Sequence, residues 1–183
     1  MTYGTYEYFQ LTGERVRVQN DLIQKGVNVV VIESDAVWTS KKVADYMRSK
    51  MKTSEIVSAV ADTKKRISAG FVGVQSTKAT RVFFQNYFDS WKAQLAPFKN
   101  SSGDIGSQGE QKTLTEMLLN STIQINWLSY CENASGMWYL SKRDPKCPLP
   151  MVIQNNYISG NANKINRAKH WKHWFINDKG NCK

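Results

Sequence analysis

The stretch Val27-Asn28-Val29-Val30-Val31-Ile32-Glu33-Ser34-Asp35-Ala36-Val37-Trp38 holds the longest β-branched run of the chain, Val29 to Ile32. The run is apolar at every position instead of alternate ones, the pattern of a strand covered on both faces, as in a parallel sheet. A central strand over 27–33, parallel to a neighbour, is therefore expected. Glu33 and Asp35 close it. Open α/β sheets bind ligands at the carboxyl ends of their strands. Two carboxylates two residues apart on an extended backbone point the same way. Both could then reach one hard cation, which would neutralise charge developing on a leaving diphosphate. Acidic residues after a strand also serve as plain turn formers, and spacing leaves both readings open.

Upstream, residues 5–25 read as a helix with Tyr6, Phe9, Val16 and Ile23 near one face, stopped by Gly26. Downstream, Lys41 to Lys50 reads as a short helix, Glu55 to Ala61 and Ala69 to Gln75 as strands. Ser76-Thr77 offers a cap to a helix from Lys78 to Leu95, which Pro97 ends. Residues 100–109 have the composition of a flexible loop. Glu110 to Asn120 reads as a helix, Ile123 to Leu128 and Met151 to Ile153 as strands, and Asn163 to Phe175 as a basic helix. Alternation of strands and helices over 183 residues, without repeat or linker, gives one α/β domain with a mostly parallel sheet.

The net charge of +10 suits nucleic acid, an anionic surface or a phosphorylated small molecule. Lys164, Arg167, Lys169 and Lys172 crowd into one segment, which a solvated helix face would also explain. A nucleic-acid-binding module is disfavoured, because the aromatics follow the apolar patterns instead of interleaving with the basic run. Cys131, Cys147 and Cys182 are too irregular for a zinc site. A Cys131–Cys147 pair across the Pro-rich loop would need an oxidising compartment. The sequons at Asn100, Asn120 and Asn133 are about as many as chance gives. No apolar run is long enough to span a bilayer, and no leader follows Met1. His170 and His173, flanked by Trp171 and Trp174, read as packing and surface residues, and Trp38, Trp91, Trp127 and Trp138 as core.

Val29 to Trp38 resembles the metal-binding strand of nucleotide-diphospho-sugar transferases with the GT-A fold, where Asp-x-Asp or Glu-x-Asp precedes Val-Trp. The likeness continues in order along the chain. Ser68-Ala-Gly-Phe-Val72 is similar to the family's Gly-Phe strand, and Glu110-Gln111 stands where Asp-Gln usually opens a helix. Gly136-Met-Trp-Tyr139 resembles its Gly-x-Trp-Phe segment. Ile153-Gln-Asn-Asn-Tyr-Ile-Ser-Gly160 with Lys164 resembles its His-x-Asn-Trp-x-x-Gly-x-x-x-Lys ending.

That resemblance implies a glycosyltransferase using Mn2+ or another divalent cation, a nucleotide-diphosphate sugar donor and a glycan or protein acceptor, working in the Golgi or another secretory lumen. It implies Glu33 and Asp35 at the metal, converging with Gln154 or Asn156, although Gln154 replaces the family's His and an amide is a poorer ligand. Gln111 and Glu110 take the catalytic positions, with an ordinary helix start as the alternative for Gln111. Gly70, Trp138, Gly160 and Lys164 take the substrate positions, and Lys164 could equally be a stray lysine on a basic helix. Only one helix precedes Glu33, so the family's N-terminal strands are expected to be missing. The chain alone is then expected to bind nucleotide diphosphates weakly without transferring sugar. A catalytically inactive remnant of the same fold is the alternative.

Overall fold

The computed structural model describes residues 4–60, 66–102, 109–140, 143–177 and 179–181. The strand end expected at Ala61, most of the loop expected over 100–109, and Cys182 lie outside the described residues. The chain divides into two compact units, one built from residues 1–32 and 45–128, the other from 33–44 and 129–183.

The first unit opens on helix α1, Tyr6–Gln24, whose Thr5 side chain accepts from Tyr8 N at the N-cap. It carries a four-stranded sheet in the order β1 (Val29–Ile32), β4 (Ile67–Val74), β3 (Ile56–Val60), β5 (Ile125–Leu128). Helix α2, Val43–Met51, leads into β3. Helices α3, Lys78–Leu95, and α4, Glu110–Leu119, follow β4. Thr77 and Thr80 form a reciprocal cap at the start of α3, joining the side chain of each to the backbone N–H of the other. The core gathers Val16 and Ile23 of α1, Phe84 and Tyr87 of α3, Leu114 and Leu118 of α4, and the inner faces of β3 and β4. Gly13 lets α1 meet α3, since a Cβ there would fall 1.7 Å from Cη2 of Trp91.

The second unit holds a three-stranded sheet in the order β2 (Ala36–Trp38), β7 (Val152–Gln154), β6 (Asn133–Ala134), with helix α5, Asn161–His170. Its core is Ala134, Trp138, Tyr139 and Ile153, with Tyr130 and Trp171 against them. The sulfurs of Cys131 and Cys147 are bonded, with Cα atoms 5.4 Å apart.

The α/β architecture with sheets flanked by helices holds, but the sheets are mixed where mostly parallel was expected. Among the described strands only β3–β5 and β6–β7 run parallel; β1–β4, β3–β4 and β2–β7 are antiparallel. The strand expected at the centre is also corrected. Among the described strands β1 pairs only with β4, at the sheet edge, and Val30 is 37% exposed. A β-branched run reports strand preference; its place in the sheet depends on the path of the chain, and here the path leaves β1 by a turn.

Candidate functional site

The extended backbone expected through Glu33-Ser34-Asp35 is a tight turn, closed by Ala36 N donating to Glu33 O at 3.0 Å. The two carboxylates therefore do not sit on one face of a strand. The turn leads into β2, whose antiparallel register pairs Ala36 with Gln154 and Val37 with Ile153. This pairing sets Asp35 beside the Gln154-Asn155-Asn156 segment.

Asp35 is where the chemistry concentrates. Its Oδ2 accepts from the Lys164 ammonium at 2.5 Å, while its Oδ1 is buried and has no hydrogen-bond partner. Both residues line a cavity of about 620 Å³, together with Asn155, Asn161, Trp38 and His173. That size suits a small molecule. Trp38 was expected in the core. It is 42% exposed and forms part of the wall, because alternate residues of a strand point to opposite faces and Val37 takes the buried one.

Lys164 is aimed from α5 by its neighbours. Gly160, at φ 84°, starts the helix in a backbone region that L side chains resist. Lys164 N donates to Gly160 O at 3.1 Å, and Lys164 O accepts from Asn155 Nδ2 at 2.9 Å. Arg167 completes the brace, donating through Nε to Asn155 Oδ1 at 2.7 Å and through a terminal nitrogen to Asn156 O at 2.6 Å. Burial lowers the Arg167 pKa, opposed by Tyr139 and Asp35. Asn155 and Arg167 thus brace Lys164, and neither is among the residues expected at the site. Asn155 stands between two residues that match a pattern, and Arg167 lies in a basic run.

Gln154 and Asn156 form an amide chain with Asn133 and the backbone. Gln154 Nε2 donates to Asn133 Oδ1 at 2.9 Å, Asn156 Nδ2 donates to Gln154 Oε1 at 3.4 Å, and Gly136 N donates to Asn156 Oδ1 at 2.6 Å. Trp138 is buried, its indole N–H on Pro148 O at 3.3 Å and its ring against Tyr139 and Trp171. Neither amide nor Trp138 borders the cavity.

Burial pushes the Tyr139 hydroxyl up to about 12, with Arg167 opposing and Asp35 adding to the rise. The phenol therefore keeps its proton, and its oxygen shares a hydrogen bond with His173 Nδ1, 3.0 Å away. His173 also stacks on Trp138 at 5.7 Å, and burial lowers its pKa. Protonation would place a charge in this partly buried setting. The folded value lies below the ordinary 6.5 of the unfolded chain, so the unfolded state takes up the proton first as pH falls. The stability His173 contributes is whole above about pH 6.5 and is lost as pH drops below it. A thermal midpoint that falls over this range, and falls less in His173→Asn, is the expected result; equal slopes in both proteins would refute it.

In the first unit, Gln111 Oε1 accepts from Ala69 N at 3.2 Å, next to Gly70, which is buried in β4. Glu110 is buried, takes an ion pair from Arg15, and accepts the Tyr87 hydroxyl on its backbone oxygen at 3.0 Å. The structure thus groups Gly70, Glu110 and Gln111 in one unit, and Glu33, Asp35, Trp138, Gln154, Asn156, Gly160 and Lys164 in the other.

Asp35 Oδ1, buried and without a partner, fits a cation or a strong donor. The rest of the donor set is thin. Among the described residues no three His, Cys, Asp or Glu side chains converge. Gln154 already spends both ends of its amide within the protein. A cation here would find a single described carboxylate, Asp35, and would need oxygens from another molecule to complete its shell. No described helix is long and apolar enough to cross a membrane.

Three comparisons bear on this arrangement. UDP-galactose:fucoside alpha-3-galactosyltransferase of Dictyostelium discoideum is 24% identical over 97% of this chain, which spans 30% of that protein's length. The crystal structure of the glycosyltransferase GlyE of Streptococcus pneumoniae TIGR4 superposes with a TM-score of 0.54 at 18% identity, over 91% of this chain and 43% of its own, a likeness of fold. The profile of the nucleotide-diphospho-sugar transferase family matches residues 1–168, which take in the Asp35 turn, the Gln154–Asn156 segment and Lys164. With that match, the chain belongs to the nucleotide-diphospho-sugar transferase family.

Proposed function

We propose that this chain is a sugar-transferring domain that holds the diphosphate of a nucleotide-sugar donor in the Asp35–Lys164 cavity, with a divalent cation. The observation that carries the reading is the Asp35 carboxylate, one oxygen on Lys164 and the other buried without a partner, at the wall of a ligand-sized cavity. The Lys164 ammonium would neutralise charge on the diphosphate as the sugar leaves. Asp35 would hold the cation, which when bound supplies further neutralisation of the leaving group. Asn155 and Arg167 keep Lys164 in place.

The Dictyostelium relative's name makes UDP-galactose the first donor to test and a fucoside the first acceptor, within the proposed acceptor class of a glycan or protein. A secretory-pathway location is part of the same proposal. In titration calorimetry with Mn2+ present, UDP should bind in a salt-sensitive manner, and Lys164→Met should weaken it about tenfold, the scale of one charge-assisted contact. Unchanged affinity in Lys164→Met would remove the diphosphate from this cavity.

One observation favours a second reading, a domain that binds the donor without turning it over: Gln154, at the family's His position, is buried with both ends of its amide engaged. Release of UDP from UDP-galactose, dependent on Asp35, would eliminate it.

A further inference from the structure

The Asp35–Lys164 pair joins the two groups that a cation and a diphosphate would each need. On the reading that this cavity holds a diphosphate, we propose that Lys164 and the divalent cation compete for the Asp35 carboxylate, and that the diphosphate ends the competition by taking over the ammonium.

Asp35 Oδ2 and Lys164 Nζ are 2.5 Å apart, so a cation seated on the same carboxylate would lie within a few ångströms of a like charge. The repulsion must either expel the cation or move the lysine. The lysine is able to move. Its side chain remains 30% exposed and carries four rotatable bonds, whereas its backbone is fixed at both ends by Gly160 O and Asn155 Nδ2. The neighbouring cation does not substitute for it, because Arg167 holds Asn155 and Asn156, lies over the Tyr139 ring at 4.6 Å, and does not border the cavity.

An ammonium on Oδ2 leaves Oδ1 buried without a partner. The carboxylate is thus half satisfied, stable enough to close the site yet still short of one donor or ligand. A diphosphate has oxygens enough for the cation and the ammonium at once. Once it arrives, Lys164 can leave Asp35 without losing an anionic partner, and the cation gains both the freed oxygen and phosphate ligands. Each ligand then strengthens the other by the same factor, as coupled binding requires. The consequence is a site that takes the cation poorly by itself and well together with diphosphate.

The test uses Mn2+ alone and inorganic pyrophosphate alone or together, with free Mn2+ read by electron paramagnetic resonance and no sugar present. Lys164→Met should bind Mn2+ alone about tenfold tighter than the unmodified chain, within the range of measured coupling energies. Lys164→Arg, which keeps the charge, should show no such gain. Pyrophosphate should raise Mn2+ affinity in the unmodified chain by about tenfold or more, and by less in Lys164→Met. Asp35→Asn should abolish uptake of Mn2+ by the protein, leaving the free-ion signal as it is without protein, in every background. Thermal melting confirms that each variant folds. Equal or weaker Mn2+ binding in Lys164→Met overturns the competition even if UDP binding needs Lys164. Retained Mn2+ binding in Asp35→Asn overturns the assignment of the cation to this carboxylate.

Discussion

Replacing Gly136 by alanine should destabilise the second unit by about 3 kcal/mol, the upper range for forcing an extra methyl into a packed site. The Cβ would fall 2.0 Å from the backbone oxygen of Asn156 and 2.7 Å from its carbonyl carbon. These are main-chain atoms, and Arg167 donates to that same oxygen, so they cannot swing aside as a side-chain tip would. Gly136 N is also bound to Asn156 Oδ1 at 2.6 Å, which holds the two segments together. Relief requires Asn156 to move, and with it Gln154, Asn155 and the brace on Lys164. The thermal midpoint should drop by roughly 6–12 °C, taking 2–4 °C per kcal/mol for a chain of this size. Nucleotide-diphosphate affinity should fall with it even well below the midpoint. A drop under about 2 °C would show that the close approach is not rigid.

The second large effect is expected at Arg15. Arg15 reaches from α1 to the Glu110 carboxylate, and the Glu110 side chain is only 9% exposed. Removing one partner of a buried pair strands the other charge at a cost of about 3–5 kcal/mol. Arg15→Met should therefore cost about 3 kcal/mol in denaturant titrations. Glu110→Gln should cost less, because Arg15, partly exposed, keeps water while the amide carries no charge. The pair of changes together should recover part of the Arg15→Met loss, since no ion is then left buried. The series also separates two roles for Glu110. If its duty is to hold α4 against α1, the loss in Arg15→Met will be mainly of stability, and Glu110→Gln will leave any sugar transfer largely intact. If Glu110 takes part in the reaction, Glu110→Gln will abolish transfer while melting normally.

The amino-acid sequence by itself determined the helices and most of the strands, because these follow from short-range periodicity and caps. Apolar spacing and Gly26 placed α1, Thr77 and Pro97 bounded α3, and the β-branched run made β1. Ordered short motifs likewise marked Asp35 and Lys164 as residues belonging to one family pattern, and both border the cavity. The tertiary structure alone decided where β1 sits, because an edge and a central strand can carry the same residues, and only the pairing with β4 distinguishes them. It also decided that Glu33 and Asp35 lie in a turn, that Trp38 faces outward, and that Asn155 and Arg167 brace the site. The site itself depends on contacts between segments more than a hundred residues apart, such as the hydrogen bond of Lys164 to Asp35 and the pairing of Ala36 with Gln154. No local pattern carries that information. Gln154 shows the limit most plainly. Its position in a motif suggested a metal ligand, whereas its surroundings (Asn133 on one side, Asn156 on the other) spend its amide on the protein itself.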